Sequence, residues 1–404
     1  MYYEYMLNLG YNEEDIDFIK SSYPINTYTD STILYSLKNI FNFFRRNGLN
    51  NNDIISITKT IPNIICTSTE NIKIRVKELN DLGINKIDAY EMIKNYPYLY
   101  DISFQKIKNK YTLFYELGFN INEINNIFIV NTSILNMDNS SINKRFNYFI
   151  SYGFDNTSVI KMFSCVPSLI NTSMTNINKK IDGFKDLGLS KNDLIKIASN
   201  FPNMFLSDKD IIKDKFEDLL KFGYTSDEII KIVVRIPIIL KDNYINNIND
   251  KLNALINLGF SNKDIINITY KNPYTLLYSV DFITDNFKNI MNYGFYNSEI
   301  INMIKNTPIL LGYDTNSINK KLEFYKSIDL LEYVLNNSNY LIISLDIIKR
   351  RYDIITNGIN DDNKYYKDIV NNNTPIDVLK KDLFINDSQF ARKYNITRKD
   401  LLRW

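Results

Sequence analysis

INKKIDGFKDLGLSKNDLIKIASNFPNMFL (177–206) and IIKDKFEDLLKFGYTSDEIIKIVVRIPIIL (211–240) are two copies of one stretch. Each runs from a leading isoleucine through a basic residue and apolar anchors to Leu-Gly or Phe-Gly. A polar cap, a second apolar face, a proline and a short apolar run follow. The glycine recurs at Gly48, Gly83, Gly118, Gly153, Gly188, Gly223, Gly259 and Gly294, every 35 residues with a single interval of 36. A fixed period of this length marks a solenoid of stacked supersecondary units.

With glycine as zero, position −11 is Ile72, Ile107, Ile142, Ile177, Ile212, Ile248, Ile283 and Ile318. Positions −7 and −4 are apolar as well, so steps of four and three draw one stripe along a helix, helix A. Ser68, Ser103, Asp138, Ser173, Asp208 and Ser279 stand where its N-cap belongs. Glycine ends it, because the left-handed residue after a helix is most cheaply glycine.

Helix B follows at once. Its cap is Asn85, Asn120, Asp155, Ser190, Thr225 or Ser261, with an acid three residues on in most units, as in a capping box. Proline at +14 stops it (Pro24, Pro62, Pro97, Pro167, Pro202, Pro237, Pro273 and Pro308), and Thr132 takes that place in one unit. The apolar residues after proline are too few for a strand and predict a 3₁₀ turn. The fold expected is therefore all-α, a solenoid of two helices and a 3₁₀ turn per repeat.

The period covers 1–358. Asp329 replaces one glycine, and the last unit is shortened to Gly358. Residues 359–379 are polar and read as a connection. Residues 380–404 carry seven basic and three acidic residues and read as a capping segment with Asn395 in the glycine place. A helix-turn-helix half is the other reading of that tail.

Composition sets limits. The 404 residues are 45% hydrophobic with net charge +2, unlike a strongly basic nucleic-acid-binding domain. There are two cysteines and no histidine. No P-loop, dinucleotide fingerprint or cysteine cluster occurs, so no enzyme, cofactor or metal site is expected. No apolar stretch spans a membrane, and Met1–Ile16 lacks the pattern of a signal peptide. An intracellular monomer, neither secreted nor membrane-bound, is the expectation.

The candidate functional feature is position −8: Arg75, Lys110, Arg145, Lys180, Lys215, Lys251, Asn286, Lys321 and Arg350. One basic residue per unit at a fixed helical phase reads as a phosphate-tracking stripe along a stacked array. The alternative is a solvated helix face, or a row of cations paired with acids of neighbouring units. Flanking lysines (Lys73, Lys108, Lys144, Lys179, Lys213, Lys320 and Lys349) and Arg351 reinforce the row. Most tyrosines and phenylalanines fall in core columns.

The combined pattern I-x-x-K-x-x-x-L-x-x-L-G, apolar-cap-x-x-D-I-x-x-I, then P-x-L-L, resembles the mitochondrial transcription termination factor (mTERF) family. The resemblance implies a left-handed superhelix with a basic concave surface. It implies a double-stranded nucleic-acid partner, DNA before RNA, in transcription termination or regulation of gene expression. It also implies a mitochondrial or other organellar location, or the cytoplasm for a bacterial source. A protein-interaction solenoid that binds no nucleic acid is the alternative.

Overall fold

The computed structural model describes residues 2–207, 209–241, 248–357 and 376–397. All of the regular structure among them is helical, in the order helix A, helix B, 3₁₀ turn. Unit 83 is representative: helix A is Thr69–Asp81, helix B is Lys86–Asn95 and the 3₁₀ turn is Pro97–Asp101. The chain divides into two compact bodies, Met1–Phe184 with Leu194–Phe205, and Lys185–Asp193 with Leu206–Trp404. Within each body successive A helices pack on one another, as do successive B helices and neighbouring 3₁₀ turns. That is the packing of a solenoid, in which a repeat buries its apolar faces against its neighbours.

The core is the predicted stripe. The eight leading isoleucines from Ile72 to Ile318 are at most 4% exposed. Burying each contributes about 2 kcal/mol. All nine glycines from Gly10 to Gly294 at the end of helix A have φ between +88° and +118°. The amide after the glycine then reaches back to the −4 carbonyl, as Phe119 N–H does to Phe114 O at 3.0 Å. This is the six-to-one bond of a Schellman ending. Asp329 (φ 56°) and Asn395 (φ 50°) hold the same left-handed place without being glycine. Short polar side chains tolerate that conformation best.

The caps fall where the sequence sets them. Ser68, Ser103, Asp138, Ser173 and Ser279 each accept a backbone N–H from the first turn of helix A. Asn50, Asn120, Thr225 and Ser261 close full capping boxes with Asp53, Glu123, Glu228 and Asp264 at the start of helix B. The capping acids are thereby occupied by backbone amides. Thr132 opens its 3₁₀ turn as proline does elsewhere, and its buried hydroxyl donates to Phe128 O at 2.9 Å.

At the C-terminal end, Ile376–Asp382 and Asp387–Lys393 are short helices, and Asn395 follows the second. Tyr394 and Lys393 both donate to the buried Asp382 carboxylate. Asn395 takes the left-handed place just after the second of these helices. The expected N-cap Asp208, Gly358, most of the 359–379 connection and the tail from Arg398 to Trp404 lie outside the described residues.

Candidate nucleic-acid interface

Position −8 lies at the edge of the buried stripe of helix A, on the side toward the 3₁₀ turn of its own repeat. A 3₁₀ turn leaves its last carbonyls without partners in the turn, and buried carbonyls need donors. The −8 side chain supplies them. Arg75 donates through Nη2 to the Tyr100 and Ile102 carbonyls. Lys110 donates to Met137 O and to Asn139 Oδ1. Arg145 donates to Ile170 O. Lys215 reaches Leu240 O and Lys241 O, both at 3.4 Å. Lys251 reaches Leu276 O at 2.6 Å, and Lys321 reaches Leu341 O at 2.7 Å. Each contact ties the end of a 3₁₀ turn, and so the start of the next helix A, back to the middle of the preceding helix A.

Asn286 shows which property the position selects. It is neutral, yet its Nδ2 donates to Leu311 O at 2.8 Å and Tyr313 O at 3.0 Å, carbonyls in the same two places. The column is one of side-chain donors rather than of cations. Lysine and arginine fit because their stems run through apolar surroundings before the polar head meets the carbonyls.

The expected groove-facing track is corrected accordingly. Arg75, Lys110, Lys215, Lys251 and Lys321 are buried, between 1% and 8% exposed. Arg145, Lys180 and Arg350 are half-buried. The last unit is also one residue out of the expected register. Ile348 is the buried isoleucine, and Arg351, not Arg350, fills the −8 place, donating to Leu383 O at 2.7 Å and to Asp387 at 2.6 Å. Among the described contacts most of these side chains meet carbonyl oxygens, and Arg75 and Arg351 also meet the acids Glu78 and Asp387.

Burial has the expected electrostatic effect. Desolvation pulls Lys110, Lys251 and Lys321 below the ordinary lysine value, and Arg75, Arg145 and Arg351 below that of arginine. The arginines carry a further cost: Nε of Arg75, Arg145 and Arg351 is buried with no partner.

Cations facing solvent lie elsewhere on helix A. Lys73, Lys77, Lys108, Lys144, Lys179, Lys213, Lys320 and Lys349 are all exposed. Lys73 and Lys213 pair with acids on their own helices, Glu70 at 2.5 Å and Glu217 at 3.8 Å. Such exposed pairs are weak and exchangeable. Several cations of helix B clip repeats together. Lys59 pairs with Asp15 at 2.9 Å and Lys305 with Asp264 at 2.6 Å, in each case across to the preceding helix B. Arg235 donates to Tyr270 O and Lys271 O of the next.

Sequence periodicity could not single out Arg46 and Lys77. They recur in no column, and only the folded structure sets them in two adjoining clefts that share Lys73, with Lys86 beside Lys77 in the second. Among the described residues no group of histidine, cysteine or acidic side chains is arranged to hold a metal. No described helix is long and apolar enough to cross a membrane.

Repeating helix pairs, left-handed glycines and 3₁₀ turns begun by proline define an all-α helical-repeat protein. The mTERF family model matches residues 3–116, 102–222 and 217–375, nearly the whole chain. The chain belongs to the mTERF family. No curated protein matches it significantly.

Proposed function

We propose that this protein binds nucleic acid, double-stranded DNA or structured RNA, through phosphate contacts from exposed lysines and arginines on its A helices. Its role would lie in organellar transcription termination or another step of gene expression. Family membership carries the reading. The recurrence of exposed lysines beside the −8 place supports it, among them Lys144, Lys179 and Lys320, which form no ion pair among the described residues. A protein acting this way needs no bound cofactor, since phosphate contacts alone give affinity and register.

Titrating labelled duplex DNA and duplex RNA with the full chain over a range of salt tests the reading. Log affinity should fall with log salt by about 0.9 for each phosphate held on B-DNA, giving a slope of roughly −3 or steeper. Affinity that ignores salt, or no binding at all, would leave the protein-interaction solenoid as the better account.

A further inference from the structure

A cluster of solvent-facing cations lies in the first body, between the helices Asp30–Arg46 and Thr69–Asp81. Two adjoining clefts of about 660 and 360 Å³ share Phe43, Asn47 and Lys73 as common lining. Arg46 lines the larger one, which also opens on Ser68 and Thr69 at the start of the second helix. Lys77, Lys86 and Tyr90 line the smaller one. Four cations thus share one depression, and no carboxylate lines either part.

Two of the four are uncommitted: Arg46 and Lys77 have neither a hydrogen bond nor an ion pair among the described residues, and both are exposed. This contrasts with Arg75 on the same helix, which is consumed by carbonyls. Lys86 rests over the Tyr90 ring, 5.9 Å from its centroid. Phe43, half-buried, meets Tyr90 edge to face at 6.1 Å and makes an apolar floor. The exposed amides of Asn39 and Asn42 add donors on the rim of the larger part.

We propose that this cleft seats a phosphodiester segment of the bound nucleic acid, with Arg46 and Lys77 each holding a phosphate and Phe43 packing under the sugar. The proposal rests on the nucleic-acid reading and gives it a place. Lys73 is held by Glu70, but the unpaired Arg46 and Lys77 raise the local potential and attract a polyanion. The planar guanidinium of Arg46 suits two phosphate oxygens at once. A nucleic-acid backbone suits the site better than an acidic peptide, because its charges are regularly spaced and its sugars are apolar enough to cover Phe43.

The test compares the full chain with Arg46→Gln/Lys77→Gln in duplex titrations at several salt concentrations. The variant should bind about tenfold more weakly at low salt, with a slope shallower by about 2. Its thermal melt should match that of the parent, since neither side chain has a partner to lose. If the parent binds with a steep slope and the variant does the same, the cleft is not the seat, although the nucleic-acid reading survives. If the parent shows no salt-dependent binding, both fall. Poly-glutamate that binds the parent and is lost in the variant, with duplex binding intact in both, would overturn the proposal in favour of an acidic peptide.

Discussion

Arg75 and Lys77 stand two residues apart on the helix Thr69–Asp81, and their surroundings are opposite. Arg75 is 8% exposed, and its guanidinium is spent on the carbonyls of Tyr100 and Ile102 and on Glu78. Lys77 is exposed and has no hydrogen bond or ion pair among the described residues. Arg75 belongs to a column that repeats in nearly every unit; Lys77 belongs to none. The difference teaches how to read charge in a repeat protein. A residue type that recurs at one phase answers a need that recurs, and in most units from Arg75 onward that need is to close the 3₁₀ turn. A ligand that contacts only part of the array places no such demand on every unit.

The contrast can be broken from the inside first. Lys251→Met removes the donor from Leu276 O and leaves a buried carbonyl bare, so it should lower unfolding free energy by about 3 kcal/mol in urea titrations. A loss under about 0.5 kcal/mol would mean that the column does not fasten the repeats.

Alkaline pH probes the interior in a second way. Burial pushes the Tyr224 hydroxyl, hydrogen-bonded to Thr269 at 2.7 Å, up to about 12. Its folded value is raised above the unfolded value near 10, so its contribution is fully present below pH 10. That contribution is lost as pH rises through 12, by up to about 2 kcal/mol. Tyr224→Phe should flatten this part of the stability–pH curve relative to the parent, as urea midpoints at pH 9 to 11.5 would reveal.

Lys251→Gln sharpens the comparison. If donation rather than charge is what matters, as Asn286 indicates, glutamine should recover most of the loss and cost about 1 kcal/mol. Equal damage from Gln and Met would assign the role to charge. The smallest effect belongs outside: Arg46→Gln/Lys77→Gln should change stability by less than about 0.5 kcal/mol, as a thermal melt checks.

The fold was legible in the sequence because its determinants are local and repeated. Glycine at the left-handed position, serine or aspartate before helix A, the capping boxes of helix B and proline before the 3₁₀ turn each act within a few residues. Among the described residues they appear in the structure at the expected places. The role of column −8 was not legible in the same way. Its partners lie 25 to 27 residues ahead in most repeats, and they are backbone carbonyls, which leave no mark on the sequence. One sign was present. Asn286 is a neutral donor in a row otherwise cationic, which a phosphate track has no reason to admit and a carbonyl clasp accepts.

The register of the last unit was hidden by the doublet Ile347-Ile348, since either isoleucine satisfies the pattern until packing buries Ile348. Arg46 and Lys77 were hidden for the opposite reason. Their proximity is tertiary, from two helices of successive repeats, and no periodic signal accompanies it.

The central claim is that the inward and outward cations have separate tasks. Measuring the salt slope of duplex binding for Lys110→Gln/Lys251→Gln beside Arg46→Gln/Lys77→Gln tests it most directly. The inward pair should melt earlier than the parent and, while folded, bind with the parental slope. The outward pair should melt like the parent and lose about 2 from the slope. A shallower slope for the inward pair, with the outward pair unchanged, would contradict the account and return the phosphate contacts to column −8.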